Sequence, residues 1–230
     1  MSWQTHSLGK MKSMTLIAID TETTGLSHQN GDRIIEIGMV EITRDPNPRT
    51  FHSFFNPEGF KVSEGAFRVH GISDDFLIDK PLFRDRIEDM VAFIGDAELV
   101  IHNAPFDLNF LKAEANRGNI PWPSNKVIDT LVLAQHERPG KHNSLDALCA
   151  WQGIDLSVRK KHGALVDSEL LSELYLRWKG QSSFELGPAR EEPQSLSQTC
   201  RPLNGLLVPA SDAPEYPAPS WEKFMKGISL

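Results

Sequence analysis

The chain has little that would tie it to an oxidising compartment or to a membrane. Its two cysteines, Cys149 and Cys200, stand far apart and form no Cys-x-x-Cys pair, so neither a disulfide framework nor a thiolate metal site is indicated. No apolar run approaches the ~18 residues that a bilayer span requires. The first residues, Met1 to His6, lack the charged-then-apolar layout of a secretory signal, and a cytoplasmic protein without membrane contact is expected. There is no internal repeat and no excess of positive charge. With 24 Lys and Arg against 31 Asp and Glu, the net charge of −7 argues against a protein that grips long duplex nucleic acid through its own field. A polyanionic substrate would need divalent cations at the site, or a partner that presents it, or both.

What is present is ordinary globular material: 40% hydrophobic and 24% charged residues. A length of 230 residues suits one catalytic domain plus an appendage. Residues 1–14 read as a leader, with Met11 and Met14 as alternative starts. Leu16 to Ile19, Ile34 to Ile42 and Phe51 to Phe55 read as three strands of an antiparallel meander. From Pro81 the period becomes helical, through Phe83, Ile87, Met90, Val91 and Ile94, and stops at Gly95. Leu99 to His102 is a buried strand, followed by a helix through Phe106, Phe110 and Leu111. Val127-Ile128 is a strand before a helix at Leu131 to Ala134, Ser144 caps a helix to Trp151, and a last helix runs from about Gly163 to Trp178. These elements predict an α/β fold, a mixed sheet with helices on its faces.

Residues 187–220 hold seven of the 15 prolines without sustained periodicity, a linker of about 30 Å as a flexible coil. Beyond it, Trp221, Phe224, Met225 and Ile228 fall at i, i+3, i+4 and i+7, with Ser220 as N-cap and Gly227 as terminator. An apolar stripe beyond a linker has little to bury against in its own domain, so a partner surface is expected, with back-folding as the alternative.

Three acidic blocks carry the chemistry. Asp20 and Glu22 close the first strand, and their spacing sends both carboxylates to one face. Such a pair can hold one or two Mg²⁺ or Mn²⁺ ions. Phosphodiester hydrolysis benefits from two cations about 4 Å apart, one activating water and one stabilising the leaving oxygen. The plain alternative is a solvated strand end. His102-Asn103-Ala104-Pro105-Phe106-Asp107 passes from strand to helix and puts Asp107 in the helix's first turn. Alone, Asp107 would be a dipole-stabilising acid, and His102 a hydrogen-bonded core histidine. His162-Gly163-Ala164-Leu165-Val166-Asp167 adds a fourth acid, with a histidine able to take a proton near neutrality. Lys160 and Lys161 beside it would raise the local potential; a surface histidine is the bland alternative.

Together, Ile19-Asp20-Thr21-Glu22-Thr23-Thr24-Gly25-Leu26 and the two histidine-led blocks resemble the DEDDh 3′→5′ exonuclease superfamily. The likeness is strongest to the epsilon proofreading subunits of bacterial DNA polymerase III and spans roughly residues 15–186. Ile34-Ile35-Glu36-Ile37-Gly38, Val69-His70-Gly71-Ile72, Glu98 to Asn103 and Asn143 to Cys149 are similar as well. The resemblance implies a ribonuclease H-like fold with a central five-stranded sheet over residues 15–180 and a flexible C-terminal tail. It implies two divalent cations, Mg²⁺ or Mn²⁺, held by Asp20, Glu22, Asp107 and Asp167, with His162 as general base. Asp20, Glu22, Thr23, Gly65, His70 and Asp167 would contact substrate, His70 at the terminal nucleotide. Where epsilon subunits often carry Glu five residues before that histidine, this chain has Gly65, with Glu64 one residue earlier. Thr23 and Thr24 either line the pocket or make turn chemistry, and Phe106 is either a stacking surface or core.

The same resemblance places a clamp-binding peptide at 181–186, with Gln181, Phe184 and Leu186 as its anchors, a glutamine and two spaced apolar residues suited to a groove. It also implies docking on the polymerase catalytic (alpha) subunit through 221–230, with Trp221 and Phe224 foremost, and a small theta-like accessory subunit. The implied activity is removal of mismatched 3′-terminal nucleotides from single-stranded or frayed DNA. The alternatives are an exoribonuclease or a repair exonuclease of the same superfamily, or a non-catalytic adaptor.

Overall fold

The computed structural model describes residues 15–157 and 161–185, the last five of these by backbone alone. The expected leader at 1–14, Lys160, Leu186, the linker and the terminal segment with Trp221 and Phe224 lie outside the described residues.

Five strands form one mixed sheet: β1 (Leu16–Thr23), β2 (Ile34–Glu41), β3 (Thr50–Phe54), β4 (Glu98–Ile101) and β5 (Val127–Asp129), in the order β3-β2-β1-β4-β5. β1, β2 and β3 pair antiparallel, while β4 and β5 add parallel to β1. The meander is joined by loops over residues 24–33 and 42–49, whereas each parallel strand is reached through helices, as parallel crossovers require.

The helices are α1 (Glu64–His70), α2 (Asp74–Leu77), α3 (Ile87–Ile94), α4 (Ala104–Arg117), α5 (Thr130–Glu137), α6 (Leu145–Trp151) and α7 (Ala164–Glu185). They cover both faces of the sheet. Ile17, Ile19, Leu99 and Ile101 pack into one core with Ile87 and Met90 of α3 and Phe110 and Leu111 of α4. The alternate residues Ala18 and Val100 pack into a second core with Leu148 of α6 and Leu171, Leu174 and Trp178 of α7. This two-residue alternation along β1 decides which helix each side chain at the strand's end will meet.

Several boundaries differ from the sequence expectation. β1 runs four residues past Ile19, because pairing with β2 continues through Asp20↔Gly38 and Glu22↔Glu36 before an irregularity at Thr23. Residues 64–77, without an assigned element in the sequence, form α1 and α2, each too short to show a helical period but each started by a serine side-chain cap, Ser63 and Ser73. The helix expected from Pro81 begins as a single 3-10 turn, with α3 proper from Ile87. α7 continues past Trp178 to Glu185, so the backbone of Gln181 and Phe184 is helical there rather than extended. No described helix is long and apolar enough to cross a membrane.

Candidate active site

The end of β1 is where the two layers meet. Asp20 and Glu22 share the parity of Ala18 and so face α7, whereas Thr21 shares the parity of Ile19 and faces α4. α7 is brought against the sheet by a glycine. A Cβ on Gly38, the register partner of Asp20, would overlap the backbone of Ala164 and Leu165. Ser168 fixes the contact by donating its hydroxyl to the Gly38 carbonyl at 2.9 Å. The first turn of α7 therefore lies directly over the acidic end of β1.

The result is a compact donor set. Ligand atoms of Glu22, His162 and Asp167 all lie within 4.8 Å of one another. His162 Nδ1 is 3.1 Å from Asp167 Oδ2. An ionised carboxylate can only accept, so this contact places the proton on Nδ1 and makes Nε2 the basic nitrogen. Asp167 is buried while the His162 side chain is 45% exposed, which suits a ligand and a base that water can reach. Lys161 just ahead lies 5.3 Å above the Phe67 ring, tying this segment to α1.

Asp107 arrives from the other face. It is buried in the first turn of α4 and its Oδ1 accepts from Thr21 Oγ1 at 2.6 Å. Burial pushes its carboxyl up to about 7, opposed by the Thr21 hydrogen bond and reinforced by the charge of Asp129. A carboxylate so placed calls for a cation. Glu22 and Asp167 supply hard oxygen donors that, with His162, fit a divalent metal, and Asp20 shares the strand parity of Glu22, while Asp107 lies outside that donor group.

His70 ends α1 and is buried; its Nδ1 accepts from Ile72 N–H at 3.0 Å, which leaves the ring proton on Nε2. Burial lowers its pKa, against a raising hydrogen bond at the Thr23 backbone and the nearby charge of Glu36, so the ring is a neutral donor at pH 7. Thr23 and Thr24 are both buried with their hydroxyls engaged locally: Thr23 donates to the Gly25 carbonyl at 2.5 Å and Thr24 to Asp32 at 3.1 Å. Gly65 faces open space, so any contact there would be made by backbone. Phe106 packs half-buried against Phe110 at the edge of the core, with ring centroids 5.0 Å apart. His102 bonds Thr130 Oγ1 at 3.0 Å, also a structural histidine.

Three residues beside the site went unrecognised in the sequence. Thr21 was hidden between two acids, and its role shows only once α4 is placed. Glu36, opposite Glu22 across the ladder, is buried and meets His52 Nε2 at 2.7 Å. Asp129 carried a legible signal as the cap before α5, but no local pattern says that it also reaches α4.

A five-stranded mixed sheet with Glu22, Asp167 and His162 converging at the end of its central strand defines a metal-dependent nuclease of ribonuclease H-like architecture. Residues 17–175 match the family model described as Exonuclease. The DNA polymerase III subunit epsilon of Rickettsia prowazekii is 44% identical over 197 residues, 83% of this chain and 86% of that one. Its Escherichia coli K12 counterpart is 46% identical over 188 residues, 77% of each chain. Among solved structures, Exonuclease X in complex with 5′ overhanging duplex DNA aligns with a TM-score of 0.55 at 28% identity, over 73% of this chain and 93% of that one. The chain belongs to the Exonuclease family, on the branch of the DNA polymerase III epsilon subunits. It is a 3′→5′ exonuclease.

Proposed function

We propose that the chain proofreads, removing mismatched 3′-terminal nucleotides from DNA as 5′-monophosphates. The observation that carries this is the convergence of Glu22, His162 and Asp167 within 4.8 Å at the strand end that also holds Asp20. In this reading Asp20, Glu22, Asp107 and Asp167 hold two divalent cations, Mg²⁺ or Mn²⁺. When bound, the cations neutralise the scissile phosphate and make water a better nucleophile. His162 Nε2 takes the proton of the attacking water, and Nδ1–H against Asp167 steadies the imidazolium that forms. His70 contacts the terminal nucleotide, with the Thr23 backbone and the open face of Gly65 lining the same pocket. A mismatched end frays more readily, so part of the selection is the energy of unpairing.

The net charge of −7 gives the site no field of its own to gather DNA, which suits delivery by an assembly. Relatives named as subunits of DNA polymerase III support the same reading. The partners we propose are the polymerase catalytic (alpha) subunit through Trp221 and Phe224, the sliding clamp through Gln181, Phe184 and Leu186, and a small theta-like subunit. The test compares 5′-labelled DNA primers with paired and mismatched 3′ ends, beside RNA oligomers of the same sequence. Faster loss of the mismatched DNA end is expected; a strong preference for RNA would sink the proposal in favour of an exoribonuclease. Truncation after Leu186 should preserve nuclease activity and abolish co-elution with the catalytic subunit.

A further inference from the structure

Asp107 is buried, and within its own block only its own backbone reaches its carboxylate. α4 follows β4 after a turn of two residues, His102 and Asn103, and Asn103 lies in the left-handed region at φ 66° with no side chain capping the helix. An uncapped helix start leaves its first N–H groups without acceptors. Here the acceptor comes from the neighbouring strand. Asp129, paired with Ile101 across the sheet, takes Asn103 N–H on Oδ1 at 3.2 Å and Ala104 N–H on Oδ2 at 3.1 Å. The same carboxylate accepts Leu131 N–H at 2.9 Å, so one residue caps both α4 and α5. It thereby fixes where the backbone of Asp107 begins. Thr21 fixes the other end, since its hydroxyl holds Asp107 Oδ1 at 2.6 Å and sets the direction in which Oδ2 points.

We propose that Thr21 and Asp129 are positioning residues that clamp Asp107 for cation binding, without being ligands themselves. The clamp rests on the reading of Asp107 as a ligand. Its two halves act on different degrees of freedom. Removing the Thr21 hydroxyl takes away the strongest hydrogen bond to the carboxylate and leaves only the backbone of Asp107 and Thr21 to direct it. Removing one Asp129 oxygen lets the first turn of α4 fray and shifts the Asp107 backbone. Outer partners of ligating side chains commonly change metal affinity by 10- to 100-fold.

The experiment uses the full chain and Mn²⁺ alone, titrated by calorimetry without nucleic acid, together with melting temperatures in EDTA. Thr21→Val and Asp129→Asn should each weaken Mn²⁺ binding by about 10- to 100-fold. Thr21→Ser, which restores the hydroxyl, should bind as the wild type does. With DNA, kcat at limiting Mn²⁺ should fall in Thr21→Val while KM for the oligonucleotide stays near the wild-type value, and added Mn²⁺ should recover part of the loss. Wild-type affinity in Asp107→Asn would overturn the ligand assignment beneath the clamp. Lost affinity in Asp107→Asn with wild-type affinity in Thr21→Val would overturn the clamp alone. So would a loss in Thr21→Val that Thr21→Ser shares. Should Asp129→Asn fail to fold, the two Thr21 variants decide the matter.

Discussion

Gly38→Ala is the smallest change that should disable the site from outside it. Gly38 stands at an ordinary strand conformation, so the added methyl brings no backbone strain of its own. It meets the backbone of Ala164 and Leu165, at the start of the helix that carries Asp167 and just after His162. Overpacking of this kind costs about 1–3 kcal/mol, and the upper end applies because rigid backbone, not the tip of a flexible side chain, must give way. For a domain of this size that lowers Tm by roughly 2–4 °C per kcal/mol, or about 6–12 °C. The effect on rate is larger in proportion. A shift of about 1 Å at the start of α7 pulls His162 and Asp167 away from Glu22, and misplacement on that scale costs on the order of 10²-fold in kcat. The assay is calorimetric melting alongside exonuclease rates on a mismatched primer, with Gly180→Ala as control. An added Cβ at Gly180 meets only the tip of the Arg44 side chain at 3.9 Å and the residue lies in α7, so that variant should melt no lower than the wild type. Equal rates in the two variants would refute the view that the Gly38 contact sets the site.

The metal-free protein should lose stability as pH rises. Asp107 has its folded pKa raised to about 7 from an unfolded value of 3.8, so its contribution is fully present below 3.8 and is lost as pH climbs to 7, up to about 4 kcal/mol. Urea midpoints in EDTA at pH 5 and pH 8 measure the part lost above pH 5, about 3 kcal/mol, and Asp107→Asn should remove that share of the drop; an identical drop in the variant would contradict it. Elsewhere, Arg33 and Glu114 form a buried pair at 2.7 Å, their side chains 6% and 1% exposed. Glu114→Gln leaves the guanidinium with Glu58 as its charged partner beside the Pro57 carbonyl and should cost about 3–5 kcal/mol by denaturant unfolding, much of it recovered in Arg33→Met with Glu114→Leu. A cost below 1 kcal/mol for the single change would contradict the pairing.

The sequence made the architecture and the acids readable because both depend on local spacing. Alternation in Leu16 to Ile19 and the helical period from Ile87 to Ile94 are properties of single segments, and Ser144 and Gly95 mark helix ends where the structure has them. α1 and α2, at seven and four residues, are too short to carry a period. At the site, the identities of Asp20, Glu22, Asp107, His162 and Asp167 were visible as motifs, but not how they are held. Gly38 against Ala164 joins positions 126 residues apart, Thr21 meets Asp107 across 86, and Asp129 reaches Asn103 across 26. Such contacts follow from which face of the sheet each helix covers, which no local pattern states.

If the acids at the end of β1 are the metal site of a nuclease acting at DNA 3′ ends, Asp20→Ala combined with Glu22→Ala destroys it. Mg²⁺-dependent release of 5′-mononucleotides from a primer with a mismatched 3′ end should then fall to the level of EDTA-treated wild type while the variant remains folded. Release at the wild-type rate would contradict that assignment.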